Sequence, residues 1–106
     1  MPRSHGDDAP ASYLAEGVWP DGRLREGAPV SAVYAQAFAR RLRAVIGEMG
    51  LNPFAVERIT GVSRRTVERT LKGQVLPDFG SVARLETELG VDLWPRREHG
   101  KKHIGE

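Results

Sequence analysis

Leu51-Asn52-Pro53-Phe54-Ala55-Val56-Glu57-Arg58-Ile59-Thr60-Gly61-Val62-Ser63-Arg64-Arg65-Thr66-Val67-Glu68-Arg69-Thr70-Leu71-Lys72-Gly73 is the stretch on which the reading of the chain turns. Asn52 followed by Pro53 has the form of an N-cap and a first helical residue. The Asn oxygen can accept an orphan backbone N–H, and proline lacks the N–H which that position would leave unpaired. Val56 and Ile59 are the inward residues of this short helix. Gly61 then supplies a turn, Val62 an apolar anchor, and Ser63 the cap of a second helix over 64–72 that stops at Gly73. Val67 and Leu71, four apart, turn one face of that helix inward. Arg64, Arg65, Glu68 and Arg69 therefore fall on its exposed sides.

The flanking sequence is helical too. On the N-terminal side Ser31 can cap a helix in which Tyr34, Phe38, Leu42, Val45, Ile46 and Met49 recur at spacings of three and four, and Gly50 ends it. Arg40 falls nearly opposite Leu42, while Arg41 and Arg43 flank the stripe, so all three can reach solvent or a phosphate. On the C-terminal side Asp78 caps a helix with an apolar stripe of Phe79, Val82, Leu85 and Leu89, closed by Gly90. Val91, Leu93 and Trp94 form a last turn capped by Asp92 and halted by Pro95, with Trp94 read as core. The pattern predicts an all-α, compact bundle of four to five helices over residues 31–95, followed by a polar tail over 96–106.

Residues 1–30 hold four of the seven prolines and no periodic apolar face, so this segment is expected to be largely disordered. The exception is a small hairpin near 18–24, where Pro20-Asp21-Gly22 is a turn signal: preset φ, an Asx-type bond, then free φ. Such a hairpin could lay Trp19 on the domain, or leave it for a partner.

With 106 residues and no cysteine, the chain suits one small domain without disulfides, thiolate zinc sites or a cysteine nucleophile. No apolar run approaches the roughly 20 residues of a membrane span, and the polar start is unlike a signal peptide, so the expectation is a cytoplasmic protein. The net charge of +2 is unevenly spread. Residues 31–73 carry eight bases against three acids, whereas residues 1–30 carry three bases against five acids. Localised positive charge of this kind is an electrostatic footprint for nucleic acid. Nothing in the pattern suggests an enzyme. The acids are spread over caps and exposed positions, and no His is placed to activate a serine. His99 and His103 have helical i, i+4 spacing but lack a third ligand, and Gly100-Lys101-Lys102 lacks the context of a phosphate loop, so neither a metal nor a cofactor is expected.

Two short helices joined by a glycine-bearing turn, the second rich in arginine, is the physical recipe of a DNA-binding helix-turn-helix. Residues 51–73 resemble the Cro/lambda-repressor-like (Xre-type) family. Pro77 to Trp94 resembles that family's fourth helix and the start of its fifth, so the likeness spans roughly 36–94. The resemblance implies a bacterial sequence-specific transcriptional regulator, a repressor, that binds double-stranded DNA as a homodimer and needs no cofactor. It places base contacts on Arg64, Arg65 and Arg69, with Thr66 and Glu68 beside them, and implies a guanine-containing half-site, because Arg is the commonest reader of guanine O6 and N7. Phosphate contacts are assigned to Lys72, to Arg40, Arg41 or Arg43, and to the helix start at Asn52.

The sequence departs from the family at three positions. Pro53 replaces the usual Gln and removes a backbone donor. Glu57 replaces the small residue at which the two helices approach, and requires a partner such as Arg58 or Arg65. Thr70 stands where a larger apolar residue is usual. Two other readings remain open: an antitoxin-type autoregulator that holds a toxin through residues 1–30, and a protein-interaction module that has lost DNA binding, for which Glu57 and Pro53 speak.

Overall fold

The computed structural model describes residues 6–95; residues 1–5 and 96–106, with the polar tail, His99, His103 and Gly100-Lys101-Lys102, lie outside the described residues. A 3-10 turn over Pro10–Tyr13 leads into strands β1 (Leu14–Glu16) and β2 (Arg23–Leu24). Helices α1 (Val30–Met49), α2 (Pro53–Thr60), α3 (Arg64–Leu71) and α4 (Phe79–Leu89) follow. The fold is mainly helical, as expected, with a two-stranded antiparallel sheet added at its N-terminal end. No fifth helix occurs among the described residues.

One core cluster joins all four helices. Phe38, Leu42 and Ile46 of α1 meet Val56 of α2, Val67 of α3, and Val82, Leu85 and Leu89 of α4, with Val62 and Leu93 filling in from the connections. Burial of each such side chain contributes about 1.5–3 kcal/mol. The caps fall where the sequence places them: Ala55 N–H donates to Asn52 Oδ1 (2.9 Å), Thr66 N–H to Ser63 Oγ (3.1 Å), and Ser81 N–H to Asp78 Oδ1 (2.7 Å). The first helix is the exception. Its N-cap is Pro29, and the Ser31 hydroxyl donates to Asp7 Oδ2 instead of capping.

Several apolar residues expected inside are outside. Phe79 is 87% exposed because it is the first residue of α4, ahead of the stretch that contacts the core. Met49 and Ile59, near the C-terminal ends of α1 and α2, are exposed as well. In α2 the inward position belongs to Thr60, whose hydroxyl donates to Val56 O and accepts from Val62 N–H, so a polar side chain is buried without an unmet bond. The last turn also differs. Among the described residues Asp92 caps no N–H, and the Glu86 carboxylate instead accepts the N–H groups of Leu93 and Trp94, both at 2.8 Å. That pins Leu93 in the core but turns Trp94 outward, 54% exposed and beside Tyr34.

The largest correction concerns the N-terminal segment, which the sequence marks as disordered. From Gly6 onward it is described, and it packs on α1 through Trp19, Ala35 and Ala39, with Ala11, Leu14 and Leu24 around them. Trp19 lies on the domain and is 9% exposed. The hairpin forms about its expected place, with strands further apart, and the turn works differently. Asp21 makes no Asx bond, Gly22 has no positive φ, and the Asp21 and Gly22 N–H groups both donate to Val18 O. Gly22 is required instead for close approach, since a Cβ there would lie 2.5 Å from Glu16 O.

Polar contacts fasten the hairpin. Gln36 Nε2 donates to Gly22 O (2.6 Å), Ala11 N–H to Gly73 O (2.8 Å), and Arg43 grips Asp21 through both carboxylate oxygens (2.9 and 3.0 Å). The Arg43 hydrogen bond holds the Asp21 carboxyl below its ordinary value of 3.8. A depressed folded-state value means the stabilisation is complete above 3.8 and is lost as pH falls through the lowered value. Asp21→Asn is therefore expected to be less stable than the wild type at neutral pH and equal to it near the acid limit, measured by urea denaturation across the acid range.

Candidate nucleic-acid interface

The candidate interface is built by α2, the three-residue connection of Gly61, Val62 and Ser63, and α3. Gly61, at φ 81°, turns the chain, and Val62 (2% exposed) buries the connection against the core. Val67 and Thr70 anchor the inner side of α3, with Leu71 half-buried beside them. At 100° per residue, Arg65, Arg69 and Lys72 then lie within one narrow stripe opposite Val67. All three are exposed, and none makes a side-chain hydrogen bond or ion pair with another described residue. Three cations are thus aligned on one side of α3 with their donors free.

Arg64 is held differently. Its guanidinium carbon sits 4.6 Å from the centroid of the Phe54 ring, and its Nη1 lies 3.5 Å from Glu68 Oε1, the i, i+4 pair that the spacing allows. Thr66 is half-buried, and its Oγ1 is 3.0 Å from the Ser63 hydroxyl at the start of α3. Glu68 faces the same side as Arg64.

Glu57 has a partner, though neither of the two expected from sequence. Its carboxylate accepts the Arg64 backbone N–H (3.1 Å), satisfying a donor at the first residue of α3 and facing the positive end of the helix. The carboxylate at this point of α2 thus has a structural task inside the α2–α3 pair. Glu57→Ala is expected to lower stability by about 0.5–1 kcal/mol, measured by chemical denaturation. Glu57→Gln should retain most of that stability.

The start of α2 offers little to an anion. Pro53 has no N–H, Ala55 N–H is taken by the Asn52 side chain, and Val56 N–H by Asn52 O. Among the sequence-assigned phosphate contacts, the three arginines of α1 are already engaged. Arg40 donates to Pro20 O (3.2 Å), Arg43 pairs with Asp21, and Arg41 Nε donates to Asp92 O. They bind the hairpin and the C-terminal turn to α1. Lys72, the C-cap residue of α3, remains with the α3 stripe.

One member of the site has no role in the sequence reading and another has a different one. Phe54 is 61% exposed and forms the floor under Arg64. Glu57 was recognised only as an obstacle, although its position one turn before the connection is the signal for a cap supplied from the preceding helix. Among the described residues no group of three His, Asp or Glu side chains is placed to hold a metal, and no helix is long and apolar enough to cross a membrane. Compared with models of known families, with curated proteins and with solved structures, the chain finds no match.

Proposed function

We propose that the protein is a sequence-specific DNA-binding transcriptional regulator of the lambda-repressor-like type, with α3 entering the major groove and the α2–α3 pair acting as its helix-turn-helix. The observation that carries this reading is the stripe of Arg65, Arg69 and Lys72 on α3, exposed and unpaired among the described residues. Arginines at i and i+4 on a helix present two forked donors to successive base edges, and Lys72 at its C-terminal end supplies a point charge for the backbone. The resemblance of residues 51–73 to the family places base contacts on Arg64, Arg65 and Arg69, with Thr66 and Glu68 beside them, and so overlaps the stripe at two of its three residues.

The phosphate contacts belong to Lys72 and not to Arg40, Arg41 and Arg43, whose donors hold the fold together. Repression and dimeric binding follow from the resemblance alone, a cytoplasmic location from the sequence pattern, and all three form part of the same proposal. The folded hairpin weakens the antitoxin reading, because Trp19 and Tyr13, the aromatic residues a toxin would bind, are buried. A protein-interaction module is the second reading. It draws on exposed Phe79 and Trp94, which with Pro77, Val82, Ala83 and Glu86 line an open cavity of about 420 Å³.

The test is titration of a labelled random-sequence duplex by fluorescence anisotropy at increasing salt. A DNA-binding protein of this design loses affinity linearly in log salt, with a slope of about −0.9 for each phosphate neutralised. Absence of binding at low salt would favour the protein-interaction module.

A further inference from the structure

Arg64 differs from the other cations of α3 in being supported from three sides. Glu57 holds its backbone N–H, Glu68 lies 3.5 Å from its Nη1, and the Phe54 ring lies under its guanidinium at 4.6 Å. Phe54 itself is 61% exposed. One exposed aromatic residue needs no explanation, but this one comes from α2 and meets the first residue of α3, so it joins the two helices of the candidate interface at their outer surface. A planar guanidinium stacked on a ring has already given up rotamer freedom, so less is lost when it forms its bidentate bonds.

We propose that Arg64 and Phe54 form one composite reader in which the Arg64 guanidinium takes guanine O6 and N7 and the exposed edge of Phe54 takes the 5-methyl group of a neighbouring thymine. This rests on the DNA-binding reading and deepens it by naming a two-base element, guanine beside thymine, in each half-site. The chemistry of both partners fits the major groove. Guanine presents two acceptors there to a planar fork, and thymine presents a methyl group that prefers an apolar contact. Phe54 is thus a positioning residue for Arg64 and a contact in its own right, while Arg65 and Arg69 read their bases without such support.

The experiment uses the full chain on a duplex obtained by selection from a random pool, with the thymine beside the guanine replaced by deoxyuridine, which removes the methyl group alone. The wild type is expected to lose roughly 3- to 5-fold in affinity on that replacement, and roughly 5- to 150-fold when the guanine is changed. In Phe54→Ala the methyl effect disappears and the guanine preference falls roughly 2- to 5-fold, while the salt slope and thermal midpoint stay unchanged. Phe54→Leu keeps an apolar contact without the ring face, so it should retain the methyl effect and lose part of the guanine preference. A selected site to which wild type and Phe54→Ala bind with equal guanine and methyl dependence would overturn the composite reader alone. Failure of the wild type to select any sequence would overturn the DNA-binding reading and this inference together.

Discussion

Gly73→Ala is expected to lower stability by about 2–4 kcal/mol, because two independent costs meet at this residue. Its φ of 72° lies in the left-handed region, which an L side chain adopts at a cost of about 1 kcal/mol. A Cβ there would also stand 2.6 Å from Cδ2 and Cε2 of Trp19, inside van der Waals contact with a ring that is itself buried. The ring cannot retreat freely. It is enclosed by Ala35 and Ala39, and the adjoining chain is tied by Ala11 N–H on Gly73 O and by Arg40 on Pro20 O. For a domain of this size the loss corresponds to a fall of roughly 10–20 °C in thermal midpoint.

Trp19→Ala should cost about 3 kcal/mol by itself. In the Trp19→Ala background, Gly73→Ala should then cost only the backbone part, about 1 kcal/mol. Trp19→Phe is expected to be nearly neutral, since the Trp19 indole N–H is buried without a partner among the described residues and the change removes that unmet donor. Urea denaturation of the four variants measures these differences, and additive effects of the Trp19→Ala and Gly73→Ala changes would contradict the contact.

Arg65→Ala combined with Arg69→Ala is expected to remove most of the sequence-specific affinity while leaving the fold untouched. Each bidentate contact with guanine is worth about 1–3 kcal/mol, so the pair should cost roughly 10²- to 10⁴-fold in affinity for the selected site. Stability should change by less than about 0.5 kcal/mol, because both side chains are exposed and unpaired among the described residues. Arg40→Ala with Arg43→Ala should behave in the opposite manner. These side chains hold Pro20 O and Asp21, so their loss weakens the hairpin and leaves the salt slope of DNA binding where it was. The two double variants, compared by anisotropy and by thermal melting, separate cations that serve an interface from cations that serve the fold.

Much of the bundle was legible because its signals are local. Asn52-Pro53, Ser63 and Asp78 announce their helices through side chains that bond a backbone N–H three residues on, and Val56, Val67, Val82 and Leu85 follow helical spacing into the core. What failed depended on distant partners. The N-terminal segment, ordered well beyond the hairpin that its turn residues announce, has no periodic face. It is held by Trp19 against Gly73 and by Gln36 on Gly22 O, contacts between residues far apart in sequence. Arg40 and Arg41 looked free because their acceptors are main-chain carbonyls, which have no sequence signature. Phe79 and Met49 extended apolar stripes beyond the part of each helix that has a neighbour, while Ile59 yields the inward place on α2 to Thr60 beside it. In the candidate interface, the outward side of α3 could be read from Val67 and Leu71, whereas the support of Arg64 by Phe54 and Glu57 arises only when α2 and α3 are brought together.

Selection of bound sites from a randomised duplex pool, followed by affinity measurement as a function of salt, decides whether α3 reads DNA. The expected outcome is an enriched, two-fold symmetric motif bearing guanine, bound with a steep salt dependence and lost in Arg69→Ala. A pool that shows no enrichment, with weak binding that moderate salt abolishes equally in the wild type and Arg69→Ala, would contradict it.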